Sequence, residues 1–238
     1  MFGRYGYYGM YYDPTYLLVL IGAVLCLIAQ ARVSSTYNKY SRIRSRSGLT
    51  GAQAAQKILQ MSGIYDVRIE HVRGNLTDHY DPSAKVLRLS DATYSSSSVA
   101  AIGVAAHECG HALQHEKGYS PLRIRTALVP AANIGSRLGI PIIILGAILG
   151  MNQILIQIGI WVFALAVLFQ LVTLPVEFDA SGRALVLLND FGLMERDETS
   201  SCKKVLSAAA LTYVAAAAAS ILQLLRLVLI FGGNRRRD

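Results

Sequence analysis

His107-Glu108-Cys109-Gly110-His111 closes a run of small apolar residues, Val99-Ala100-Ala101-Ile102-Gly103-Val104-Ala105-Ala106. The pattern predicts a helix from about Val99 to Glu116, opened by the serines Ser95 to Ser98 and stopped at Gly118. On a helix, side chains four apart share a face, so His107 and His111 can grip one ion together. Glu108 stands beside them, where it can take a proton from a water held by that ion. Two imidazoles and a carboxylate in so apolar a helix are costly unless something partners them, which disfavours ordinary core polar residues. H-E-x-x-H in this setting is the working set of a zinc peptidase. Cys109 points away from the two histidines and reads as packing.

Catalytic zinc takes three protein ligands and keeps one open position. No H-E-x-x-H-x-x-G-x-x-H continuation supplies the third, because Gly118 and Tyr119 occupy that region. The best candidate is Glu177, in Pro175-Val176-Glu177-Phe178-Asp179-Ala180-Ser181. Asp179 competes for the role, or orients a histidine from behind. The plainer alternative for Glu177 is an interfacial carboxylate.

Working outward, the 238-residue chain is 53% apolar and 16% charged, with a mean hydropathy of +0.38. Soluble domains carry about 25% charged residues, so much of this chain faces lipid or a large core. The net charge is +8, but the cations are clustered: Arg32, Lys39, Arg42, Arg44 and Arg46 follow the first apolar run, and Arg235 to Arg237 end the chain. Beside apolar spans such clusters mark the anionic cytoplasmic face of a bilayer rather than a nucleic-acid surface. Cys26, Cys109 and Cys202 are too few and too scattered for a disulfide framework.

The chain divides as follows. Residues 1–15 form a Tyr- and Gly-rich tail, with Tyr5, Tyr7, Tyr8, Tyr11 and Tyr12 suited to a membrane interface. Residues 16–31 are a first span, an uncleaved anchor whose positive flank follows it and so places the N-terminus outside. Residues 32–125 are a domain with a helix over Gly48 to Met61, short strands at Val67 to Val72 and Lys85 to Leu89, a turn at Asp81-Pro82, and the H-E-x-x-H helix. Residues 126–175 form a two-span hairpin turning at Met151-Asn152-Gln153, which returns Glu177 to the side of His107. Arg137 inside it must face protein, water or the interface. Residues 176–204 carry the third-ligand candidate. Residues 205–238 are a C-terminal apolar helix with a basic tail, read as a fourth crossing or a re-entrant pair. Arg226 sits uncomfortably there. The expected fold is a mainly α multi-span bundle carrying a small α+β domain with a short sheet.

Leu76-Thr77-Asp78-His79-Tyr80-Asp81-Pro82, Ala106 to Gln114 and Leu174 to Arg183 together resemble the bacterial neutral zinc membrane metallopeptidases, the YugP-like family. The likeness covers nearly the whole chain beyond the Tyr-rich start. More distantly the arrangement is similar to the HtpX-type membrane proteases, which also place a hairpin of spans between the H-E-x-x-H helix and a glutamate ligand. Those proteins show E-x-x-A-D where this chain has Ser181 in the last place. The resemblance implies a gluzincin-like fold and Zn²⁺ as cofactor.

The expected activity is peptide-bond hydrolysis, with zinc on His107, His111 and Glu177 and with Glu108 as general base. His79, Tyr80 and Arg183 are candidates for the transition-state donor. The Lys85 to Leu89 strand is expected to offer an edge to an extended substrate. The implied partners are a peptide or membrane-protein substrate and the lipid bilayer, without nucleic acid. The expected location is a bacterial plasma membrane with the site on the cytoplasmic side, and membrane-protein quality control is the role by analogy. The rival is a non-enzymatic zinc-containing scaffold.

Overall fold

A computed structural model describes residues 13–232. The tyrosines of the N-terminal tail before Asp13 and the arginines at 235–237 lie outside the described residues. Four helices are long and apolar enough to cross a membrane: α1 (Tyr16–Tyr40), α5 (Ser120–Ile148), α6 (Gln153–Asp190) and α7 (Arg196–Phe231). Between α1 and α5 lie α2 (Gly51–Met61), β1 (Arg68–Val72), β2 (His79–Asp81), β3 (Val86–Ser90), α3 (Asp91–Tyr94) and α4 (Val99–Glu116). The protein is thus a helical membrane protein with a small α+β domain.

Local chemistry explains the element ends. Thr50 caps α2, its hydroxyl accepting from Gln53 N while the Gln53 side chain accepts from Thr50 N. Ser98 caps α4 by accepting from Ala101 N at 3.2 Å. The α5–α6 turn ends at Asn152, whose side chain accepts from Ile154 N and Leu155 N. Close approach of this hairpin needs Gly135, where an added Cβ would lie 2.5 Å from Val162 O.

Several expectations are corrected. The first helix continues past Ala31 to Tyr40, so the basic cluster begins on helix rather than on loop. The hairpin's first helix starts at Ser120, not near 126. Residues 176–190 are not a separate element: α6 runs unbroken through Pro175 to Asp190, carrying span and third-ligand candidate on one rod. α7 is one continuous helix, which removes the alternative of a re-entrant pair. The sheet has the order β1-β3-β2, with β1–β3 parallel and β2–β3 antiparallel. β3 is therefore the central strand, and its backbone groups are taken on both sides. The edge expected at Lys85 to Leu89 belongs instead to β2, a strand the turn signal at Asp81-Pro82 concealed.

The two basic residues that looked awkward are placed differently. Arg226 pairs with Asp13 at 3.3 Å and lies over the Tyr16 ring, 4.1 Å from its centroid, joining the ends of α7 and α1. Arg137 is exposed on the outer face of α5.

α4 is the centre of the domain. Its small residues let α2, the sheet, α6 and α7 press on it from different sides, so both its apolar and its polar positions are buried. Ile58, Leu59, Leu87, Leu89, Ile102 and Leu188 are fully buried around it. Each such side chain contributes about 1.5–3 kcal/mol on leaving water. Arg46 fastens the α1–α2 connection to the start of α7: its guanidinium pairs with Glu195 and with Asp197, and its N–H donates to Glu198 Oε1 at 2.8 Å.

Candidate active site

His107 and His111 project from one face of α4, with ring centroids 4.7 Å apart and planes at 83°. Glu177 comes to them from α6 and is 2% exposed. Its Oε2 lies 3.3 Å from His107 Nε2 and 3.7 Å from His111 Nε2. One donor atom from each of the three residues falls within 4.8 Å of the others. The helices can approach this closely because of Gly110, where an added Cβ would stand 2.5 Å from Ala180 O.

The groups behind these three fix their orientation. Gln114 Nε2 donates to Val176 O and to Asp179 Oδ2, each at 2.8 Å. Its Oε1 must then be the acceptor of His111 Nδ1–H, at 3.0 Å. That tautomer leaves His111 Nε2 with a bare lone pair facing a buried carboxylate. Ser181 Oγ lies 3.1 Å from His107 Nδ1, so the other imidazole is also held by its outer nitrogen. Neutral imidazoles and a carboxylate converging at these distances repel unless a proton or a metal cation lies between them. The donor set of two nitrogens and one oxygen is one that suits zinc.

Asp179 is not brought to this cluster. It binds Arg183 Nε and Gln114, and so reaches His111 through the amide rather than as a ligand. The competing assignment of Asp179 as third ligand is corrected accordingly. Ser181 occupies the outer nitrogen of His107 with a hydroxyl.

Two cavities, of about 350 and 400 Å³, share His107, Glu108, Glu177 and Tyr213 in their walls. The first also takes in Gln30, Val33 and Tyr37 of α1 and Ala209 and Thr212 of α7. The second takes in His79 and Tyr80 of β2 and Arg125 and Val129 of α5. Glu108 is 7% exposed and lies at the junction of the two.

Of the three expected transition-state donors, Arg183 is engaged by Asp179 and lies over the Tyr119 ring, and His79 donates from Nδ1 to Thr77 O at 2.9 Å. Tyr80 bonds His115 Nδ1 at 2.8 Å, and burial pushes its phenol up to about 12, so it stays protonated. Sequence reasoning missed Arg125, whose Nη2 lies 3.7 Å from Glu177 Oε1, and Tyr213, which lies against the same carboxylate. Tyr213 lies in an apolar run read as a span, and Arg125 at the polar end of the 32–125 stretch, and nothing local marks either as a functional side chain. It also missed Gln114, although its spacing of three from His111 was a usable signal. Cys109 is fully buried and its thiol is pushed well up by that burial, as suits packing.

Comparison with known proteins agrees with this chemistry. The family described as "Putative neutral zinc metallopeptidase" matches residues 15–232. The "Putative membrane protease YugP" of Bacillus subtilis (strain 168) is 48% identical over 221 residues, covering 92% of this chain and 98% of that protein. No solved structure matches the chain.

Proposed function

The chain belongs to the neutral zinc metallopeptidase family, and from that premise we propose that it is a membrane-embedded endopeptidase using His107, His111 and Glu177 as zinc ligands and Glu108 as general base. The observation that carries this reading is the meeting of a carboxylate from α6 with the paired imidazoles of α4, beside a second carboxylate, Glu108, at a cavity junction.

Zinc, when bound, supplies Lewis acidity that brings the pKa of water toward about 7 and polarises a peptide carbonyl. The remaining work falls to the chain. Glu108 accepts the water's proton and returns it to the departing amine. Gln114 and Ser181 keep both imidazoles turned with Nε2 inward, so the ligands need no reorganisation. Arg125 and Tyr213 flank Glu177 and line the cavity, which makes them the donors best placed to stabilise negative charge developing on the carbonyl oxygen.

β2 is the edge strand whose residues line the second cavity, so an extended substrate pairs with β2 as it crosses the site. The first cavity reaches α1 and α7, helices with membrane-spanning character. A substrate segment leaving the bilayer enters there, which favours membrane proteins and their processing or quality control. The cations after the first apolar run favour a site on the cytoplasmic side of a bacterial plasma membrane.

The test is Glu108→Gln in the full-length protein, with zinc measured by elemental analysis and cleavage measured on an unfolded protein substrate. Cleavage is expected to fall by roughly 10²–10⁴-fold with zinc retained. Undiminished cleavage would overturn the assignment of Glu108. A wild-type protein that holds zinc but cleaves no substrate would favour the scaffold reading instead.

A further inference from the structure

We propose that the seam between α1 and α7, on the side facing away from the catalytic cavity, holds the phosphate-bearing headgroup of an anionic phospholipid. A groove of about 540 Å³ runs between the C-terminal part of α1 and the N-terminal part of α7. Arg32 and Lys39 line one wall, and Lys203 and Lys204 line the other. Ser35 and Ser207 add hydroxyls from opposite sides.

None of the four cations has a carboxylate partner among the described residues. The acids at the start of α7 are already engaged, since Glu195 and Asp197 bind the Arg46 guanidinium and Glu198 accepts its N–H. Four like charges gathered on two helices repel one another until an anion sits between them. A phosphate oxygen set meets ammonium, guanidinium and hydroxyl donors at once.

The level of the groove distinguishes a lipid from a soluble anion. Arg32 directly follows the apolar stretch of α1, at the depth where headgroups lie. Leu211 closes the groove at this same end, and beyond it α1 and α7 present exposed Leu25, Ile28 and Val214 along their outer faces. A headgroup in the groove therefore has an apolar track for its acyl chains. Basic pockets between spans on the cytoplasmic side are suited to such lipids.

The full-length protein is placed in phosphatidylcholine nanodiscs containing a minority of phosphatidylglycerol, then extracted gently, and its co-purifying lipid is quantified by mass spectrometry. Wild type is expected to enrich phosphatidylglycerol over the bulk ratio. Lys203→Gln/Lys204→Gln, and separately Arg32→Gln/Lys39→Gln, should lower that enrichment by about 5-fold per charge removed. Lys57→Gln/Lys117→Gln, on the exposed surface of the α+β domain, should leave it unchanged. Equal loss in this charge-matched control would reduce the effect to general surface charge and overturn the site. No enrichment in wild type would do the same, and displacement of the lipid by inorganic phosphate would identify a soluble-anion pocket instead.

Discussion

Gly110 of α4 lies against Ala180 of α6 so closely that a methyl group on the glycine would meet the alanine carbonyl oxygen at 2.5 Å. This contact sets the distance between the two histidines and the carboxylate on the facing helix. Gly110→Ala must push the helices apart. Overpacking of this kind costs about 1–3 kcal/mol. The variant should lower the thermal midpoint and weaken zinc binding together, as followed by melting with and without chelator. Wild-type zinc affinity in this variant would show that the helix separation does not control the site.

Gln114 is fully buried and joins three groups: His111, the Val176 carbonyl and Asp179. Gln114→Leu leaves the buried imidazole N–H without its acceptor, at a cost of about 1–3 kcal/mol. Loss of such a support usually lowers metal affinity by about 10–100-fold. Competition with a fluorescent chelator would measure it, and an affinity equal to wild type would show that Gln114 does not orient His111.

Ser181 offers the outer nitrogen of His107 a hydroxyl partner at 3.1 Å. Ser181→Ala should loosen zinc by about 10-fold. Ser181→Asp should tighten it, because a carboxylate makes the imidazole a stronger donor. The same chelator competition reads both. If the two variants move affinity in the same direction, Ser181 is not acting through His107.

Acid should loosen the sheet before it affects the helices. Asp81 is held below the usual carboxylate range by backbone N–H donors at Ala84 and Ser83 together with Arg88, and Asp91 by the Gly74 N–H and His71. A folded pKa below the unfolded value near 3.9 gives stability that is present above that value. It is lost as pH falls through the lower, folded value. Protection of β2 and β3 amides, expressed relative to the intrinsic exchange rate at each pH, should therefore be high at neutral pH and fall once pH drops below about 4. Protection that does not change across that window would show these carboxylates to be unimportant for the sheet.

The helix from Val99 to Glu116 was legible to the residue, because apolar spacing, a serine cap and a glycine stop coincide. The pairing of Glu177 with the histidines followed from a hairpin too short to do anything but return. What stayed hidden depends on three dimensions. Strand order cannot be read from alternation alone, so β3 looked like an edge when β2 holds that place. Arg125 and Tyr213 reach the site only because α5 and α7 pack beside α6, which neither the polar stretch around Arg125 nor the apolar run around Tyr213 discloses. Arg226 looked misplaced until Asp13, at the far end of the sequence, met it.

α6 is a single rod of 38 residues, and the same helix that begins in the outer turn of the hairpin ends in the α+β domain. Anchorage and chemistry are therefore inseparable in this molecule. A cut between Glu116 and Gln153 would leave an N-terminal piece that holds both histidines and is still anchored by α1, yet lacks Glu177. Neither piece alone carries the three converging side chains, so the site exists only where the two membrane-held halves stay together.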